Sequence, residues 1–316
     1  MSQKSRILVT PRSLSRGHWI LDALKEAGYE PVTPSPGETP SEVELVESIG
    51  ECVGYLAGVE PVTEKVLSSA RNLKAISRNG VGVDNIDLKA AEEHGIRVLT
   101  ADGANAQGVA ELTVGLLFCG LRQVVKSDRT LKSHQWQRSK GRETSGTTLG
   151  VVGLGRIGAN VVQYSSQLGM DVIGYDPYVD EATAKQLGCE PVDFQQVLER
   201  ADVLTLHCPM RSNGTPVVGK DELQQCFRGV FIINTARAGL VDLTAMLEAL
   251  DSGHVSLYAT DVFPEEPPAD WTLVDHPSVI ATPHIGGYTT ESVDRAARMA
   301  MENLRQAIEG ETGEVR

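Results

Sequence analysis

No apolar run in this sequence is long enough to cross a membrane, no basic excess balances its acids, and no two cysteines share a metal-binding spacing. Each absence removes a class of function. The longest apolar stretch, Leu112 to Leu121, is about half of what a spanning helix requires, and the start, MSQKSRILVTPRS, has too short an apolar run for a signal peptide. A cytoplasmic protein without a membrane partner is expected. The formal charge of -13 argues against broad nucleic-acid or acidic-membrane binding, which needs a basic face. An anionic ligand would therefore need a local basic pocket. Cysteines at 52, 119, 189, 208 and 226 are scattered and odd in number, which reads as free thiols in a reducing compartment. Seven histidines show no HExxH spacing, so no metal site is expected.

What remains is an ordinary globular composition, 41% hydrophobic and 22% charged, in a chain of 316 residues that can hold two cores. Up to Leu99, short apolar strands at 7–10, 53–56, 75–78 and 97–99 alternate with amphipathic helices near 18–27, 42–49, 62–69 and 88–94. This rhythm implies a parallel, doubly wound sheet. The proline-rich stretch 31–40 reads as an exposed loop, because the alternation resumes after it. Residues 107–132 carry one helical pattern that leads into a second βα series, with six strands expected at 148–152, 171–175, 202–206, 230–234, 256–260 and 278–281. A final helix from Thr289 to about Ile308 has no strand after it and is expected to cross back onto the first domain. Two domains joined twice would form a hinged cleft, with residues at strand ends facing one another.

The second series opens with the most informative stretch, Thr148 to Asp176. A valine-rich strand ends in Gly153, Gly155 and Gly158 at GxGxxG spacing, an amphipathic helix follows, and a second strand closes on Asp176. The first glycine suits a tight turn, the second lets a pyrophosphate approach bare backbone, and the third lets the helix pack closely on the sheet. Phosphates would sit at the positive end of that helix. Asp176 can accept hydrogen bonds from the adenosine ribose and would repel an added phosphate there, so NAD is favoured over NADP.

Three later strand ends carry complementary chemistry. NTARAG (234–239) offers Arg237, DVFPEEPP (261–268) offers Glu265 and Glu266, and TPHIGG (282–287) offers His284. An arginine can clamp a carboxylate through a bidentate fork, and a histidine backed by a carboxylate can move a hydroxyl proton. Singly, a strand-end histidine is more often structural and an arginine more often solvated.

In wording and order, SRNGVGVDNID (77–87), ANAQGVAELTVGLL (104–117), the GLGRIG turn, HCP (207–209), NTARAGLVD, DVFPEEPP and TPHIGG make the chain resemble the D-isomer-specific 2-hydroxyacid dehydrogenase family over nearly its whole length. The resemblance implies two doubly wound parallel-sheet domains. A Rossmann cofactor domain at 104–288 would be inserted into a flavodoxin-like substrate-binding domain at 1–103 and 289–316. It implies Arg237, Glu266 and His284 as catalytic residues, Glu266 being the carboxylate before Pro267. Substrate contacts would come from Arg78, Asn79, Val81 and Gly82, together with Arg237 and His284. Cofactor contacts would fall on Val109, Arg156, Ile157, Asp176, His207, Pro209, Thr215, Thr235, Ala236, Asp261 and Gly287 besides the turn glycines, with Asp261 holding the nicotinamide carboxamide. A homodimer joined through the long helix from Gln107 and its flanks is also implied.

The activity so implied interconverts a D-2-hydroxy acid and its 2-keto acid, with 3-phosphoglycerate the leading substrate and hydroxypyruvate or glyoxylate reduction the alternative. An NADH-sensing binding protein is the reading from another class. Where animal-type members that act on 3-phosphoglycerate carry an Arg-Ser pair at the substrate phosphate, this chain reads Ala57-Gly58. Arg78 and Arg138 remain as basic candidates. Ala238 and Leu243 replace the family's usual glycine and glutamate. A chain ending at 316 is expected to lack a carboxy-terminal regulatory domain and its serine feedback.

Overall fold

The computed structural model describes residues 4–310, which divide into two compact units, one of residues 4–105 with 289–310 and one of residues 106–288. The first unit runs β1 (Arg6–Val9), α1 (Trp19–Glu26), β2 (Glu30–Val32), α2 (Glu42–Ile49), β3 (Cys52–Ala57), α3 (Glu64–Ser68), β4 (Ala75–Arg78), α4 (Leu88–Glu93) and β5 (Arg97–Thr100). Its five strands are all parallel, in the order β2-β1-β3-β4-β5. That is the flavodoxin-like order, with its switch point between β1 and β3. β2 takes up Glu30, Pro31 and Val32, so the expected loop at 31–40 starts two residues late. Proline lacks a ladder donor and is tolerated there because β2 is an edge strand.

The second unit runs α5 (Ala106–Leu121), α6 (Val124–Lys132), β6 (Thr148–Val152), α7 (Arg156–Gln167), β7 (Asp171–Tyr175), α8 (Glu181–Leu187), β8 (Glu190–Pro191), α9 (Phe194–Arg200), β9 (Val203–Leu206), α10 (Lys220–Gln225), β10 (Val230–Asn234), α11 (Leu243–Asp251), β11 (Val255–Thr260), α12 (Thr272–Asp275) and β12 (Val279–Ala281). Seven parallel strands stand in the order β12-β11-β10-β9-β6-β7-β8, the Rossmann order with one strand added beyond the sixth. Six were expected. The extra one is β8, two residues paired to β7, too short to show alternation. The single helix expected at 107–132 is also broken. Gln123 adopts a left-handed φ of 55°, and α5 and α6 meet at 62°. No glycine or proline marks that break, and apolar Val124 and Val125 carry the periodicity across it although α6 buries nothing. The last helix, α13 (Thr290–Glu309), returns to the first unit as expected, where Arg295 donates to the Ala104 carbonyl and Asn303 to the Thr100 carbonyl.

Alternation along the strands builds a core on each face of each sheet. In β1, Leu8 packs toward α2, α3 and α4, while Ile7 and Val9 face α1 and α13. In the second unit Val152, Leu204, Leu206 and Ile232 pack toward α9 and α11, and Leu149, Val151, Val203 and Ile233 toward α5 and α7. Side-chain caps at Ser41, Thr63, Asp180, Asp193 and Asp242 start helices between the strands, and one at Thr289 starts α13, each worth about 1 kcal/mol. Among the described residues no single helix is long and apolar enough to cross a membrane.

At the turn from β6 to α7, Gly153 has φ of +94°, and a Cβ on Gly158 would stand 1.9 Å from the Gly153 carbonyl oxygen. A Cβ on Gly155 would meet nothing within 4 Å. Gly158→Ala should therefore destabilise the protein by about 1–3 kcal/mol through overpacking, while Gly155→Ala leaves stability nearly unchanged. Thermal melts of the two variants test this contrast; equal shifts would contradict it.

Candidate functional site

β10, β11 and β12 are adjacent and parallel, with Asn234 opposite Thr260 and Thr260 opposite Ala281. The segments NTARAG, DVFPEEPP and TPHIGG therefore leave the sheet along one edge, at the carboxyl ends of neighbouring strands. Backbone bonds continue past the strands, from Asp261 N–H to the Asn234 carbonyl (3.1 Å) and from Thr282 N–H to the Thr260 carbonyl (3.0 Å).

From that edge the structure brings His284 and Glu266 together, His284 Nδ1 lying 2.6 Å from Glu266 Oε2. The other carboxylate oxygen accepts from Phe263 N–H, so the acid is held by its own loop. Both side chains keep solvent contact, at 52% and 38% exposure, which leaves the ring accessible to a ligand. A carboxylate on Nδ1 fixes the ring's orientation and leaves Nε2 for proton exchange. Glu265 is exposed.

His284 has φ of +53°, unusual for a residue with a side chain. What holds it is Asp261, buried at the end of β11. One Asp261 oxygen accepts from Thr282 Oγ1 (2.6 Å) and Ile285 N–H (2.8 Å), the other from Gly286 N–H (2.8 Å). The residue that the resemblance gives to the nicotinamide carboxamide thus grips the histidine's loop with both oxygens. Arg237 follows β10, and its Nη1 donates to the Ala236 carbonyl. Thr235 is buried and shares a 2.9 Å hydroxyl contact with Thr113 of α5. Sequence reasoning passed over Thr113, Thr282 and Asn234; a polar residue closing the buried run of β10 was the available signal for the last.

The glycine turn suits a dinucleotide. α7 starts without a side-chain cap, so its first N–H groups are open to an anion, and the space beside Gly155 is clear of protein. Asp176 closes β7; its two oxygens accept from Leu154 N–H (2.8 Å) and Tyr178 N–H (2.9 Å), leaving lone pairs for further donors. His207, after β9, packs beside Gly153, with Nε2 2.9 Å from Thr205 Oγ1 and Nδ1 buried without a partner. When Thr205 donates to Nε2, Nδ1 carries the ring proton and is a donor awaiting an acceptor. Arg156 and Ile157 open α7, Pro209 and Thr215 lie exposed beyond β9, Val109 is buried on α5, and Ala236 and Gly287 are half-buried. A Cβ on Gly286 would lie 3.3 Å from Val109 Cγ2, so α5 borders the histidine's loop.

In the first unit, Arg78 ends β4 and donates to the Asn79 carbonyl, and Asn79 Oδ1 is buried without a hydrogen-bond partner. Val81 is exposed and Gly82 half-buried. At the switch point of the same sheet Glu60 is buried. Its Oε1 accepts from Tyr55 OH (2.7 Å), Gly58 N–H (2.7 Å) and Thr10 Oγ1. A Cβ on Gly58 would lie 2.6 Å from Glu60 Oε2, so this carboxylate fills the space a larger residue at 58 would need. Arg138 is exposed in the segment after α6.

Residues 114–286 match the family model for the NAD-binding domain of D-isomer-specific 2-hydroxyacid dehydrogenases. The chain belongs to this family. It is 41% identical over 275 residues to D-3-phosphoglycerate dehydrogenase of Methanocaldococcus jannaschii, covering 86% of this chain and 52% of that protein, so it spans about half the length of the curated relatives it matches. A crystal structure of a Thermus thermophilus protein superposes with a TM-score of 0.86 at 33% identity, covering 96% of this chain and 97% of that one. D-lactate dehydrogenase from Aquifex aeolicus, solved with NAD and lactic acid, superposes with a TM-score of 0.82 at 26% identity, covering 97% and 96%.

Burial pushes the His207 pKa from the usual 6.5 to about 3. The unfolded chain binds this proton more readily, so stability is intact above pH 6.5 and falls as the pH drops toward 3. At pH 4.5 the loss is on the order of 2–3 kcal/mol. His207→Asn should flatten the stability curve between pH 6.5 and 4, measured by urea unfolding; an unchanged slope would remove His207 as the acid-sensitive group.

Proposed function

We propose that the protein is an NAD-dependent dehydrogenase that interconverts a small D-2-hydroxy acid and its 2-keto acid. The observation that carries the reading is the 2.6 Å pair of His284 and Glu266, held at one edge of three parallel strands that also present Arg237. The second unit would serve as the cofactor domain, and within the first unit Arg78, Asn79, Val81 and Gly82 are proposed substrate contacts.

The cofactor's diphosphate would rest on the Gly153–Gly158 turn and the open start of α7, flanked by Arg156 and Ile157, with His207, Pro209 and Thr215 beyond it. Asp176 would accept from the ribose hydroxyls, and its charge at the end of β7 favours NAD over NADP. Val109, Thr235, Ala236, Asp261 and Gly287 would line the nicotinamide end. When bound, the cofactor exchanges a hydride with the substrate carbon that bears the hydroxyl. Arg237 holds the substrate carboxylate through its guanidinium fork. His284 removes the hydroxyl proton through Nε2 in oxidation and returns it in reduction, while Glu266 on Nδ1 steadies the imidazolium. A homodimer joined through α5, α6 and the segment carrying exposed Leu131 and Trp136 completes the proposal.

Likeness to enzymes named D-3-phosphoglycerate dehydrogenase favours D-3-phosphoglycerate and 3-phosphohydroxypyruvate as the substrate pair. One observation favours a second reading, reduction of hydroxypyruvate or glyoxylate: position 58 is a glycine whose adjoining space is filled by the buried acid Glu60, so no basic side chain stands there to receive a phosphate. NADH oxidation with 3-phosphohydroxypyruvate, hydroxypyruvate and glyoxylate at matched concentrations separates the two. A kcat/KM higher for the phosphorylated acid is expected from the first reading, and the reverse order would establish the second.

His284→Ala should lower kcat roughly 10²- to 10⁴-fold, the usual cost of losing a general acid–base group, while NADH still binds. Steady-state rates with NADH fluorescence titration test it. Wild-type turnover would remove His284 from the chemistry.

A further inference from the structure

Asn234 is fully buried at the end of β10, where a polar side chain needs a reason to be. Its amide is used from both sides. Oδ1 accepts from Ala236 N–H at 3.1 Å, and Nδ2 donates to the Arg237 carbonyl at 2.9 Å, with the hydroxyl of buried Tyr258 behind it at 3.4 Å. The turn 235–237 is thus folded around one side chain, which sets where the Arg237 Cα stands and how its guanidinium leaves the sheet. The Asn234 carbonyl in turn accepts from Asp261 N–H, tying this turn to the residue that holds the His284 loop.

We infer that Asn234 is a positioning residue: its side-chain amide fixes the backbone of Arg237 and so presents the guanidinium to the substrate carboxylate. The inference rests on the proposed role of Arg237. Residue chemistry explains the choice of asparagine. The turn needs an acceptor for one backbone N–H and a donor for one backbone carbonyl from a single short side chain; aspartate has no donor, and a serine or threonine hydroxyl carries both functions on one oxygen closer to the backbone, whereas the amide places them on two atoms. No other turn at this edge is built so: the Asp261 grip uses acceptors only.

Because Asn234 acts chiefly through an arginine that binds substrate, its loss should appear mainly in KM for the 2-keto acid, with a smaller change in cofactor affinity through Ala236, whose N–H it also holds. Asn234→Ala is expected to raise that KM about tenfold, with NADH affinity and kcat each changed less than about threefold. Asn234→Ser, whose hydroxyl can still accept from Ala236 N–H, guards against simple unfolding; it should melt near the wild type and still raise KM. The deciding measurement is a double-mutant cycle with Arg237→Lys. If Asn234 works through Arg237, adding Asn234→Ala to that background changes KM less than about twofold. Equal effects of Asn234→Ala in both backgrounds, or a loss confined to NADH binding, would overturn the inference while leaving the proposed activity standing. An unchanged KM in Arg237→Lys alone removes Arg237 from the site and takes this inference with it.

Discussion

The chemistry proposed for this protein depends on a carboxylate buried almost completely from solvent. Asp261 accepts three hydrogen bonds from the 282–286 loop, two of them from backbone, and so holds His284 at a φ that costs on the order of 1 kcal/mol for a residue with a Cβ. Hydrogen bonds to a charged acceptor are each worth about 1.5–3 kcal/mol, which outweighs that strain several times over. Loop rigidity here follows from satisfying a charge in a dry place. The strand β11 supplies the fixed point because both its neighbours are parallel strands and its end cannot move without breaking two ladders.

The same logic organises the adjacent turn and the cofactor edge. At β10 a neutral amide, Asn234, does locally what Asp261 does with charge, and the two are joined through backbone. At β7 Asp176 accepts from Leu154 N–H, so the acid proposed to read the ribose also braces the glycine turn proposed to hold the diphosphate. Polar residues at strand ends thus couple neighbouring segments, and a ligand laid across them would meet surfaces already fixed relative to one another. This is preorganisation in its structural sense: the ordering cost is met during folding rather than at binding.

How much of this was legible in the sequence follows from which physics leaves a periodic trace. The parallel sheets, the glycine turn and the return of α13 announced themselves through apolar runs, glycine spacing and helical periodicity. β8 and β2 did not, since two or three edge residues that include a proline show no alternation. The break at Gln123 was hidden because an amide side chain bonded to the Gly120 carbonyl took the place of a glycine or proline signal. At the proposed site, NTARAG, EEP and TPHIGG offered residue types suited to proton transfer and carboxylate binding. The supports could not. Asn234, Thr113 and Thr282 act through single hydrogen bonds between segments distant in sequence, and one chain alone carries no pattern that links them.

The net charge of -13 and the anionic ligands proposed here are reconciled by where the acids go. Many carboxylates lie on exposed helix faces, as in Glu42, Glu181 and Glu248, where lysine partners and water screen them. Near the proposed ligands the carboxylates are engaged in hydrogen bonds: Asp261 by backbone and a threonine, Asp176 by two backbone N–H groups, Glu266 by His284. Each is thereby directed toward a donor of its own. What the cofactor turn offers an anion is backbone N–H at the uncapped start of α7, and what β10 offers is the Arg237 guanidinium. Glu60 is the exception, a buried carboxylate at the switch point of the first sheet whose partners are hydroxyls and one amide. Three donors on one oxygen fix the orientation of this carboxyl group, so the space beside Gly58 is filled by a rigidly held acidic side chain.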